Sequence, residues 1–155
     1  MRHAPLLALV LAAAPAAAQT IAPRDGWAIH ASQKSYADLV AAVKAAAPTH
    51  GLGVVTEAGP TETARSRGIE IPGNRVIGLF NNDYAVRILD LSTAAMIEAP
   101  IRVYVTEAAD GTATLAYKTP SFVLAPYADE GGPALAAIAV QLDTDFAAVA
   151  SDALD

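Results

Sequence analysis

The sequence predicts an α+β fold: a two-layer sandwich whose mixed sheet carries a C-terminal antiparallel hairpin and has its helices packed on one face. Three observations predict it. Apolar and polar residues alternate over 101–106 and again over 112–118, on either side of Asp110-Gly111. Alternation of this kind marks half-buried strands, and Asp-Gly between two such strands marks a hairpin. Over Tyr36–Ala47 and Leu135–Val149 apolar residues recur every three or four positions, the spacing of a helix with one buried stripe. The two kinds of segment interleave as β-α-β, short helix, β-α-β-β, α, and the helices must cover a sheet face to bury their stripes.

The elements follow in order. Trp27, Ile29 and Ala31 alternate with Ala28, His30 and Ser32, a half-buried strand. Ser35 and Asp38 form a variant of the capping box in front of Tyr36, Leu39, Val40, Val43 and Ala47. Pro48 and Gly51 end that helix, and 52–57 returns as a strand. A short helix is expected over 61–66, capped by Thr61 or Thr63 and stopped by Gly68. The compact apolar run 75–80 reads as a central strand buried on both faces. Asn81-Asn82-Asp83 supplies N-cap chemistry for a helix striped by Tyr84, Ile88, Leu91 and Ala95. After Pro100, the strand Ile101–Thr106 turns at Asp110-Gly111 into the strand Thr112–Lys118. Residues 120–127 are expected to be irregular or extended. Pro133 suits the first position of the last helix. Asp143, Asp145 and Asp152 near its end oppose the helix dipole, so that end is expected to fray or face water.

The first residues carry an export signal. Arg2 and His3 precede the apolar run 5–14, and Ala16-Ala17-Ala18 offers a cleavage site before Gln19. The uncharged stretch 4–18 is shorter than the roughly 20 residues of a spanning helix. Cleavage between Ala18 and Gln19 leaves 137 of the 155 residues: a flexible lead-in over 19–26 and one domain over 27–152. The expected location is periplasmic or secreted, with no membrane attachment after cleavage. The chain has no cysteine, which excludes thiol catalysis and thiolate metal sites. Ten Lys and Arg face sixteen Asp and Glu, and the cations are scattered singly. Nucleic-acid binding needs a basic patch, so it is excluded as a function class.

Several stretches together resemble one family. They are Gly51-Leu-Gly-Val-Val55, the segment 61–68, Arg75-Val-Ile-Gly-Leu-Phe-Asn-Asn-Asp83, Ala99-Pro-Ile-Arg-Val-Tyr-Val105 and Ala113-Thr-Leu-Ala-Tyr-Lys118. Their order and spacing, over roughly 27–128, is similar to the family called domain of unknown function 302. The resemblance implies a two-layer α+β fold, a bacterial or archaeal origin and a homodimer, with no settled activity. The family's Phe-Gly-Asn-Pro turn falls on Phe80-Asn81-Asn82-Asp83, so Asn82 matches its asparagine. Relatives often begin the short helix with histidine; Thr61-Glu62 stands there, and a role resting on that histidine does not carry over.

Asn81, Asn82 and Asp83 are the most polar constellation at a strand end. A strand leading into a helix N-terminus favours a ligand, while capping and turn formation are the structural alternative. Tyr117, with Tyr84 and Tyr104, is the candidate aromatic lining. His30 is the candidate acid or base, set against a solvent-side or hydrogen-bonded strand histidine. His50, in Pro48-Thr-His-Gly51, reads as a loop residue. There is no Gly-x-Ser-x-Gly elbow and no phosphate-cradling glycine loop. Asp143-Thr-Asp145 and Asp129-Glu130 lack a calcium loop and read as solvated turns. The sequence therefore points to an exported, non-catalytic binding or interaction domain for a small molecule, without cofactor or metal. One alternative is a hydrolase or isomerase with His30, Glu57 and Asn82 as base, carboxylate and oxyanion donor. The other is a weak metal-binding domain using histidine and carboxylates.

Overall fold

The computed structural model describes residues 21–155, so the export signal and the start of the lead-in lie outside the described residues. Five strands form one sheet: β1 (Trp27–Ser35), β2 (Gly53–Ala58), β3 (Asn74–Phe80), β4 (Ile101–Glu107) and β5 (Thr112–Lys118), in the order β1-β5-β4-β3-β2. All four pairings are antiparallel, so the α+β sandwich is as expected but the sheet is not mixed. The helix between β1 and β2 suggests neighbouring parallel strands. Those two strands instead occupy opposite edges, and the helix crosses the width of the sheet.

That helix, α1 (Tyr36–Thr49), begins as its sequence prescribes: Ser35 Oγ accepts from the Asp38 amide at 3.2 Å. The short α2 (Thr61–Ser66) has the expected bounds but no side-chain cap. Thr61 is buried and donates its hydroxyl to Pro72 O instead. Asn81 caps α3 (Asn82–Leu91), and Ser92 ends it before a 3-10 turn at Ala94–Glu98 that carries Ala95. The segment after β5 is helical rather than irregular: α4 (Pro120–Leu124) and a 3-10 turn (Ala125–Tyr127). Thr119 caps α4 through the Phe122 amide, and Pro120 sits at its start, where a missing N–H costs nothing. The last helix, α5 (Ala128–Leu154), is interrupted at Gly132 (φ 53°), so regular helix resumes at Pro133.

Helices α1, α3 and α5 cover one face of the sheet. Ile77, Leu79, Ile101, Val103, Val105, Ala113, Leu115 and Tyr117 point into it and meet Leu39, Val43, Leu135, Ile138, Leu142, Phe146 and Val149. The stretch Pro120–Leu154 is long and apolar enough to cross a membrane, yet its apolar stripe is buried in this core. β3 is an internal strand covered on one face only, not a central strand buried on both. On the other face Val76 is half-buried. The carboxylates of α5 do not face water unpartnered as expected. Asp143 accepts from the Ser121 amide (2.9 Å), Asp145 from the Tyr84 hydroxyl (2.8 Å), and Asp152 meets His50 Nε2 (2.7 Å). Partners from α4, α3 and α1 offset the unfavourable dipole, which local sequence could not reveal.

Candidate functional site

The register fixes which side chains stand on the uncovered face. Val103 pairs with Tyr117 and both point into the core, so Arg102 and Lys118 project together on the open side. Trp27 pairs with Lys118, Gly78 with Arg102, and Thr56 with Gly78. One cross-strand row therefore reads Trp27, Lys118, Arg102, Gly78, Thr56. Two residues along, Ile29 pairs with Ala116, Ala116 with Tyr104, and Tyr104 with Val76. Ala116 is buried and Gly78 is covered by Thr56 and the Pro100 ring, while Trp27, Val76 and Tyr104 are half-buried on this face.

The result is a trough of about 480 Å³ on the open face. Its lining includes Trp27, Val76, Arg102, Tyr104 and Lys118, with Glu98 and Val123 at the rim from the 3-10 turn and α4. That volume falls within the range of about 300–1,000 Å³ typical of small-molecule sites. The Trp27 ring carries two cations, with Arg24 at 5.1 Å and Lys118 at 5.9 Å from its centroid. Asn74 Nδ2 donates to the Tyr104 hydroxyl, and Glu98 accepts from the Tyr127 hydroxyl at 2.8 Å.

The sequence candidates fall elsewhere. Asn81 is engaged in the fold: its Oδ1 accepts from the Asp83 and Tyr84 amides (2.8 and 3.1 Å), and its Nδ2 donates to Gly51 O (2.8 Å). It borders an apolar crevice of about 30 Å³ beneath α3, too small for more than a water molecule. Asn82 and Asp83 are exposed on the first turn of α3 and line neither cavity. Replacing Asn81 by alanine is expected to cost about 1–2 kcal/mol of stability, from the lost cap and the lost tie to Gly51. Chemical denaturation measures that loss, and ligand affinity in the trough should stay unchanged.

Tyr117 borders the trough from β5, but its side chain points into the core, between His30 (6.2 Å) and Phe146 (5.6 Å). His30 is not on the solvent side. It pairs with Leu115 and so faces the helices, with Nε2 buried and without a hydrogen-bond partner among the described residues. Glu57 is held by Lys44 of α1 and by Arg75 of β3, and Arg75 also binds Glu62 of α2. The hydrogen bond from Lys44, then the charges of Lys44 and Arg75, hold the Glu57 carboxyl below the usual range. His30 and Glu57 stand on opposite edge strands, four strand spacings or about 19 Å apart. Asn82 follows β3, three spacings or about 14 Å from β1, so these three groups do not meet at one substrate. His50 caps α1 and pairs with Asp152. Among the described residues no three His, Cys, Asp or Glu side chains converge as a metal site.

Three of the five tyrosines are held in their neutral form. Burial and then the hydrogen bond to Asp145 raise Tyr84; burial and then the charge of Asp143 raise Tyr117; the hydrogen bond to Glu98 raises Tyr127. A group whose folded value is raised contributes stability below its unfolded pKa, about 10 for tyrosine, and loses it as pH rises through the folded value. Stability should therefore hold up to about pH 10 and fall above it. Ultraviolet titration should find at least three hydroxyls ionising above the ordinary tyrosine value.

Sequence reasoning missed the trough because its residues come from four strands, a 3-10 turn and the short helix α4. The one local signal was the wetter side of the alternation at Arg102, Tyr104 and Thr106. Comparison with protein families matches residues 28–153 to "Domain of unknown function DUF302". The fold is similar to that of an uncharacterized conserved protein DUF302 from Bacillus stearothermophilus, known from its crystal structure. The TM-score is 0.72 at 18% identity, covering 83% of this chain and 98% of that one. No curated protein matches the chain.

Proposed function

The chain belongs to the DUF302 family, and from that premise we propose that it is an exported, non-catalytic binding domain whose small-molecule ligand lies in the open-face trough. The observation that carries this reading is the trough itself: about 480 Å³ lined by Trp27, Val76, Arg102, Tyr104 and Lys118. Its walls combine aromatic and aliphatic surface with a few polar groups, the composition of small-molecule sites. The separation of His30, Glu57 and Asn82 across the sheet removes the support for the hydrolase or isomerase built on those three residues. Export rests on the leader at 1–18, and mass spectrometry of the native N-terminus should find Gln19 first.

Trp27 is the single tryptophan of the chain and a wall of the trough, so its emission reports occupancy directly. The test is a thermal-shift screen of small metabolites followed by Trp27 titration. A ligand at 100 times its Kd should stabilise the fold by about 2.7 kcal/mol. Hits that stabilise the fold without changing Trp27 emission overturn the placement, and a broad screen without hits removes the reading. The competing occupant of the same face is a second copy of the chain, the homodimer that the family resemblance implies. Light scattering that finds a dimer dissociated by Trp27→Glu would give the face to that partner instead.

A further inference from the structure

The floor of the trough holds an arrangement that does not serve the fold. Arg102 and Lys118 project side by side from adjacent strands on the same face, and both are exposed. Like charges directly across a strand pair destabilise a sheet. Among the described residues neither has an ion-pair partner, whereas Lys44 and Arg75 are both paired. The chain carries sixteen acidic residues against ten basic ones, yet only Glu98 lines the trough, and its carboxylate already accepts from Tyr127. Two unneutralised cations set beside an indole, on a chain of net charge −6, are complementary to an anion with an apolar body.

Resting on the binding reading above, we propose that the ligand is an aromatic carboxylate. Its carboxylate bridges the Arg102 guanidinium and the Lys118 ammonium, and its ring lies between Trp27 and Tyr104. A guanidinium presents paired N–H donors that match the two oxygens of a carboxylate, and the ammonium adds a point charge from the neighbouring strand. The ring covers Val76, which the fold leaves half-exposed. A bound anion would also relieve the repulsion between the two cations, so binding should raise stability more at low salt than at high salt.

The experiment uses 2-naphthoate and its uncharged counterpart 2-naphthamide, with binding read from the one indole N–H resonance of Trp27 and by calorimetry. Naphthoate should shift that resonance and bind at least tenfold more tightly than the amide. Arg102→Gln and Lys118→Gln should each weaken naphthoate about tenfold or more and leave the amide unaffected. Both side chains are exposed, so the variants should keep the parent's thermal unfolding midpoint or exceed it. Equal affinity for acid and amide, in parent and variants alike, overturns the anion while leaving the trough as a site. A dead Trp27 resonance with both probes at millimolar concentration also overturns the inference. The wider reading then falls only if the metabolite screen is empty as well.

Discussion

Replacing Phe146 by alanine is expected to cost about 3–5 kcal/mol, the largest single loss available in this core. Phe146 is among the largest fully buried side chains and comes from the middle of α5. Its ring meets Tyr117 of β5 with centroids 5.6 Å apart and planes tilted by 50°, so it joins the two layers of the sandwich. It also lines the crevice of about 30 Å³ beneath α3, and truncation would enlarge that space into a true cavity. The loss thus has two parts, the forfeited burial of an aromatic ring and the void that the helices cannot close. Urea denaturation at neutral pH measures it, and the thermal midpoint should fall by roughly 10–20 °C. Phe146→Leu fills most of the space and should lose only about 1–2 kcal/mol. A loss below about 1 kcal/mol for the alanine variant would mean that α5 does not seat on the sheet at this point.

The second large effect is expected at Gly78, from adding atoms rather than removing them. A Cβ built there would lie 2.2 Å from Thr56 Oγ1 and 2.8 Å from Pro100 Cγ. No backbone torsion demands this glycine; the close approach of a neighbouring strand and of the Pro100 ring does. Gly78→Ala should therefore destabilise by about 1–3 kcal/mol, since the added methyl must push back the Pro100 ring and turn aside the exposed Thr56 side chain. Thr56→Ala removes one of the two obstacles, so the double variant should recover about 1 kcal/mol or more. That coupling, read from a double-mutant cycle, separates steric conflict from a general intolerance of the site. Purely additive losses would contradict the contact between Gly78 and Thr56.

Much of the fold was legible because its causes are local. Ser35 with Asp38, Asn81 before α3, and Pro133 at the restart of α5 are each capping or torsional preferences that act within one turn. The alternation of Ile101, Val103 and Val105, and of Ala113, Leu115 and Tyr117, fixed which face of the hairpin is buried. What misled the reading of 120–127 was two prolines, which argue against helix when counted but start one when the first follows a capping threonine. His30 was misplaced for a different reason. Both sides of β1 are mixed in polarity, so alternation alone could not say which side the helices cover. The polar corner Asn81–Asp83 drew attention as a candidate site, but Asn81 caps α3 and ties Gly51, and Asn82 and Asp83 face solvent outside both cavities.

By itself the sequence determined the secondary structure outside 120–127, the buried face of the hairpin, the α+β class and the family. Each of these follows from side-chain periodicity and backbone preference over a few residues. Only the tertiary structure decided that β1 pairs with β5 while β2 lies at the far edge. That order brings Trp27 beside Lys118 and Arg102, residues 75 or more positions away along the chain. It also sets His30 and Glu57 apart. Strand order is chosen by how the whole helical layer closes over the sheet, a long-range balance of burial against chain entropy that no local pattern records.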